Sequence, residues 1–164
     1  MNTRIQIANA PCSWGVLEFD GMAAPASASK VLDEIAASGF AGTELGDWGF
    51  LPTEYGALRE MLDARGLTMV GGFVPVPLAR PQSIDVGIRD AVKVAELMAS
   101  VAPDAFVVLA DDNGSDPVRT AKAGRITPAE GLDESAMDAA AVVADTVARA
   151  VFEATGLKTV FHHH

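Results

Sequence analysis

The sequence predicts an α/β protein of parallel strands, and three observations carry that prediction. Apolar-periodic helices alternate with short apolar strands along the chain. A glycine closes several of those helices just before the next strand begins. Carboxylates, tryptophans and histidines gather where strands end, whereas the turns leading into strands are plain. Alternation of this kind requires parallel strands joined by right-handed crossovers. Two layouts satisfy it: an open doubly wound sheet, or a barrel wound in one direction.

The opening strand falls near residues 4–9, running into Asn9-Ala-Pro-Cys-Ser-Trp14. The first helix carries Val31, Leu32, Ile35 and Ala36 at the spacing of one buried face, and Gly39 follows it. A strand near 41–46 comes next. A second helix, Leu58 to Arg65, ends at Gly66 and leads into a strand near 67–73. Glycine suits these closing positions because a left-handed C-terminal residue carries no Cβ penalty there. The third helix, Ile84 to Val101, presents Ile84, Ile88, Ala91, Val92, Ala95 and Met98 and stops before Pro103. The fourth strand is expected near 105–110. The fourth helix begins near Asp133 with an inner stripe of Met137, Ala140, Ala144, Val147 and Val151, and Gly156 closes it. A fifth strand near 158–163 completes the order βαβαβαβαβ, with the helices packed outside. Gly46-Asp-Trp-Gly49 has neither the spacing nor the following helix of a dinucleotide phosphate loop.

Composition bounds the function. The chain has 164 residues, 49% apolar and 21% charged, enough for one sizeable core and a single domain over 1–164. A net charge of −10 argues against nucleic acid and anionic membrane as partners, since both need clustered Lys and Arg. The single cysteine, Cys12, forms no internal disulfide and suits a reducing cytoplasm. No signal peptide and no membrane-length apolar run is present, so a cytoplasmic location is expected. Mean hydropathy is nonetheless positive, at +0.23, which points to a covered partner surface or to more polypeptide.

Parallel strands send every strand C-terminus to one rim. That rim collects Pro11 to Gly15, Glu44 to Phe50, Phe73 to Pro77, Asp111 to Gly114 and Phe161 to His164, with Gly39, Gly66 and Gly156 at the opposite rim. Glu44 and Asp47 are therefore neighbouring carboxylates on that rim, candidates to serve as acid and base. Trp14 and Trp48 are candidates to stack on the apolar face of a ligand, with packing at the rim the plainer alternative. Asp111 is a candidate substrate contact. Its run to Asp116 is no EF-hand, because the glycine falls too early and no Glu closes the loop. Arg125 offers a bidentate fork for a carboxylate or phosphate. Cys12 reads as a small buried residue rather than a nucleophile. His162, His163 and His164 read either as a native His-rich strand end or as the remnant of an affinity tag. Alternation sends His162 and His164 to one face and His163 to the other.

These strand ends resemble a known group. Asn9-Ala-Pro-Cys-Ser-Trp-Gly15, Thr43-Glu-Leu-Gly46 with Gly49-Phe-Leu-Pro52, Ala123-Gly-Arg-Ile126 and Val160-Phe-His-His-His164 occur in the order seen in the sugar phosphate isomerase/epimerase superfamily. Within it they are most similar to the inosose dehydratase branch of xylose-isomerase-like barrels. The resemblance implies a (β/α)8 TIM barrel of which this chain is the N-terminal part: four β/α units and a fifth strand, not closed. It also implies a divalent metal (Mn, Co, Zn or Mg) held mostly by residues of strands five to eight. His162 and His164 are the candidate ligands here. A full barrel needs about 250 residues.

Two functions follow as expectations. In the first, the parent protein is a metal-dependent sugar or polyol isomerase, epimerase or inosose-type dehydratase that moves a proton next to a carbonyl. In the second, the half-barrel is a non-catalytic assembly or binding module. Either a second copy or a C-terminal half is expected to cover the open edge.

Overall fold

A computed structural model of the protein describes residues 5–16, 26–112 and 116–163. Five strands form one sheet: β1 (Ala8–Asn9), β2 (Gly42–Glu44), β3 (Thr68–Val76), β4 (Phe106–Asp111) and β5 (Lys158–His162). All four pairings are parallel, and the order across the sheet is the order along the chain. A doubly wound sheet reverses direction partway, so this order selects winding in one direction. Crossovers of one hand then lay every helix on the same side.

The helices are α1 (Ala28–Ala37), α2 (Tyr55–Asp63), α3 (Ile84–Val101), α4 (Pro117–Ala121) and α5 (Glu134–Thr155). Their starts have local causes. The Ser27 hydroxyl accepts from the Lys30 N–H at 3.4 Å, and the Asp133 carboxylate accepts from the Ala136 N–H at 2.8 Å. The short α4, which the sequence pattern did not single out, is capped by Asp116, whose Oδ1 accepts from both Val118 and Arg119 N–H. Gly156 closes α5 at φ +76°, where its N–H donates to the Phe152 carbonyl.

The core lies between these helices and the outer face of the sheet. Val31, Leu32 and Ile35 of α1, Leu58 of α2, Met98 of α3 and Val147 of α5 are fully buried there with Val107 and Leu109 of β4. Each such side chain contributes about 1.5–3 kcal/mol on burial. The α5 stripe differs from expectation: Val143, Val147 and Val151 are buried, whereas Met137 is exposed. Only the middle and end of this 22-residue helix have α3 and the sheet beneath them.

Two strand lengths also differ. β1 is confined to Ala8–Asn9, and Ile5 and Ile7 lie exposed; its partner β2 has only three residues, and β1 is an edge strand of the described sheet. β3 runs to Val76 and contains Pro75. A central proline ordinarily loses a ladder bond. Here the Gly71 carbonyl faces β2, accepting from the Leu45 N–H, and the Val76 carbonyl faces β4, accepting from the Asp112 N–H. Pro75 shares Gly71's direction after the two-residue period, so its missing N–H faces the side where β2 has already ended.

Candidate active site on the concave face

A register shift decides what faces inward. Thr43 pairs with Met69 but Glu44 pairs with Gly71, so Val70 is the extra residue of a bulge in β3. Met69 and Gly72 therefore both face the helices, Gly72 directly against Val94 and Met98 of α3. Val70, Gly71 and Phe73 are left on the inner face. A Cβ placed on Gly71 would touch Val108 and the Glu44 side chain, which puts those groups on the same face.

On that face Glu44 borders a cavity of about 310 Å³ with Ala8, Asn9, Cys12, Ser13 and Val70. The Asn9 side-chain oxygen accepts from the Ala10 N–H and the Ser13 hydroxyl, each at 2.8 Å. Those bonds fold the chain after β1 into a 3-10 turn over Pro11–Trp14, and Gly46, at φ +70°, turns closely against Pro11. The rims of β1 and β2 are thereby joined beside Glu44. Burial raises the Glu44 carboxyl above the ordinary glutamate range, and the His162 imidazole opposes that rise.

His162 reaches this face from β5. Its ring meets Phe73 edge-on, with centroids 6.1 Å apart. In a flat sheet the Glu44 row passes through Gly71 and Phe106 to Lys158, leaving His162 three strands across and four residues along. Those spacings amount to about 19 Å. Strand twist and curl of the kind found in a barrel wall shorten such a separation.

The other sequence candidates are distributed differently. Asp47 follows on the same rim, half-buried, its carbonyl accepting from the Phe50 N–H. Trp14 is engaged with α1: its indole N–H donates to Glu34 Oε2 at 2.7 Å and its ring meets Phe40 edge-on. Trp48 stands at the rim under the Lys93 ammonium, 3.9 Å from the ring centre. Asp111 acts as a clamp, with Oδ1 accepting from the Leu78 N–H at 2.9 Å and Oδ2 from Arg119 at 2.7 Å. Arg125 lies exposed in the turn after α4. Cys12 is exposed at the cavity, not buried as the sequence suggested, because the 3-10 turn buries Pro11 instead. His164 and the Asn113–Ser115 part of the acidic run lie outside the described residues.

Sequence reasoning quoted Asn9 and Ser13 only as parts of a motif, and it gave Phe73 no role. The Asn–x3–Ser spacing after a strand was the available signal for the first two. Among the described residues, no three His, Cys, Asp or Glu side chains are grouped to hold a metal ion. None of the described helices is long and apolar enough to cross a membrane.

No family model matches the sequence, and no curated protein does either. Solved structures do match. The apo crystal structure of 3-keto-D-glucoside 4-epimerase YcjR from E. coli superposes with a TM-score of 0.64 at 14% identity, over 96% of this chain and 56% of that one. D-allulose 3-epimerase from Methylomonas sp., His-tagged with additional C-terminal residues, gives 0.60 at 14% identity, over 96% and 51%. The same enzyme in complex with D-allulose gives 0.58 at 11% identity, again over 96% and 51%. The chain therefore has the fold of about half of these sugar-epimerase barrels.

Proposed function

We propose that this chain is the N-terminal half of a sugar isomerase or epimerase of the xylose-isomerase-like kind, which moves a proton on carbon next to a carbonyl. The observation that carries the reading is Glu44. It is a carboxyl on the concave face at the C-terminal end of a strand, beside a cavity, with its proton affinity raised by burial. A carboxyl held above its usual range takes up and returns a proton closer to neutral pH. Asp47 supplies a second carboxylate on the same rim. Ser13 and Asn9 offer polar groups to the hydroxyls of a sugar or polyol, and Trp48 offers an aromatic face; Asp111 orders the rim rather than touching the substrate. The solved neighbours described above are sugar epimerases by name, which favours epimerisation or isomerisation over dehydration of an inosose.

A divalent metal is part of this proposal for the whole protein. It supplies Lewis-acid polarisation of the carbonyl when bound. His162 is the described residue of this chain suited to ligate it, since imidazole nitrogen suits Mn, Co or Zn. The described residues do not complete a ligand set, so no step is derived through the ion. The exposed inner-face residues Phe106 and Val160 favour a second reading, in which the half-barrel acts by assembling with a partner.

The test is solvent exchange. The protein expressed from its complete reading frame is incubated in D2O with ketohexoses and inososes and a divalent ion, and followed by NMR. Deuterium entering next to the carbonyl, slowed roughly 100-fold or more by Glu44→Gln, is expected. No exchange in any of these substrates overturns the enzymatic reading, and loss of water from an inosose replaces epimerase with dehydratase.

A further inference from the structure

We infer that Gly71 and Ala110 are positioning residues: almost without side chains, they let Glu44 of β2 and His162 of β5 lean over them and converge on β3, within reach of one small substrate. This rests on the proton-transfer reading above.

The register gives each residue its place. Glu44 pairs with Gly71, and Ala110 pairs with Pro75 on one side and His162 on the other. A Cβ on Gly71 would lie 3.5 Å from Glu44 Cγ and 3.3 Å from Val108 Cγ2. The Glu44 side chain thus lies against β3, in the space that a larger residue at 71 would claim. A lone Cβ meets Glu44 at an ordinary contact distance, but the two further methyls of a valine cannot be seated without moving Glu44 or Val108.

Ala110 makes the same provision from the other side. Strands β3 and β5 lie about 10 Å apart with β4 between them, yet the Phe73 and His162 ring centroids are 6.1 Å apart. The two rings therefore meet over β4. By the two-residue period of the strand, Ala110 shares the inner face with Val108. It is fully buried there, while Phe106 and Val160 on the same face are each 42% exposed. A larger residue at 110 would stand under the two rings and drive them apart.

Gly71 and Phe73, where the two side chains arrive, are two residues apart on β3, about 7 Å. That is close to the span of one sugar unit, so the carboxyl and the imidazole can act on the same molecule.

The test has a structural arm and a catalytic one. In the 164-residue chain labelled at phenylalanine and histidine, a nuclear Overhauser effect between the Phe73 and His162 rings is expected, identified by its loss in Phe73→Leu. Ala110→Gly keeps this contact and Ala110→Val loses it, with spectral dispersion showing that each variant is folded. In the protein expressed from its complete reading frame, Gly71→Val is expected to lower kcat for deuterium exchange by about tenfold to 100-fold, while KM changes about twofold or less. In the Glu44→Gln background the same substitution changes the residual rate by about twofold or less, because Gly71 acts through the carboxyl. This second arm does not depend on the folding of Ala110→Val. An equal loss in both backgrounds makes Gly71 merely structural, and a ring contact that survives Ala110→Val does the same for Ala110; either result overturns the proposal. No exchange in the wild type overturns the proton-transfer reading, and the positioning role falls with it.

Discussion

Glu44 and His162 stand on strands with two others between them, yet the imidazole lowers the proton affinity that burial gives the carboxyl. The folded chain still holds the Glu44 proton more tightly than the unfolded chain does. Between the ordinary glutamate value of 4.5 and the raised one, the folded state therefore binds more protons, and stability falls as pH rises through that window. Glu44→Gln is expected to flatten this dependence in urea unfolding followed from pH 4 to 8. His162→Ala is expected to move the Glu44 midpoint further up in a carboxyl 13C titration. A downward move would show that the imidazole does not act on Glu44 as described.

The pairing of β2 with β3 depends on Gly42. A Cβ there would lie 2.5 Å from the Thr68 backbone oxygen, which no rotamer change can move aside. Gly42→Ala is expected to cost about 3 kcal/mol, the upper end for overpacking. A denaturant midpoint equal to wild type would mean that the two strands lie further apart than described.

Asp111 ties the end of β4 to the loop after β3 and to α4. Asp111→Ala removes the acceptor of the Leu78 N–H and the partner of Arg119, both at low exposure. The expected cost is about 1–3 kcal/mol, that of an unsatisfied buried donor. Hydrogen exchange at Leu78 should rise markedly, while Arg125→Ala, in its exposed turn, should change neither quantity.

The inner and outer faces of β4 should respond in opposite ways. Leu109→Ala, on the helix side, is expected to destabilise by about 2–5 kcal/mol. Phe106→Ser, on the open concave face at 42% exposure, should leave unfolding nearly unchanged and instead reduce dye binding or self-association of the 164-residue chain. Light scattering and a hydrophobic dye read both. A wild-type chain that stays monomeric on concentration and binds no dye would show that the open face needs no cover.

The sequence by itself determined the alternation of elements, the parallel direction of the strands and the rim that collects Glu44, Asp47, Asp111 and His162. These are consequences of short-range chemistry: apolar spacing along a helix, a left-handed glycine after it, and the rule that parallel strands end together. It could not determine which face each rim residue takes. The bulge at Val70 shifts the side-chain alternation of β3, and the strand order sets His162 of β5 three strands from Glu44 of β2. Trp14, Asp111 and Cys12 make the same point, since their surroundings are set by α1, by the loop after β3 and by the 3-10 turn. Register and curvature are sums over contacts distant in the chain, so only the tertiary structure places these side chains.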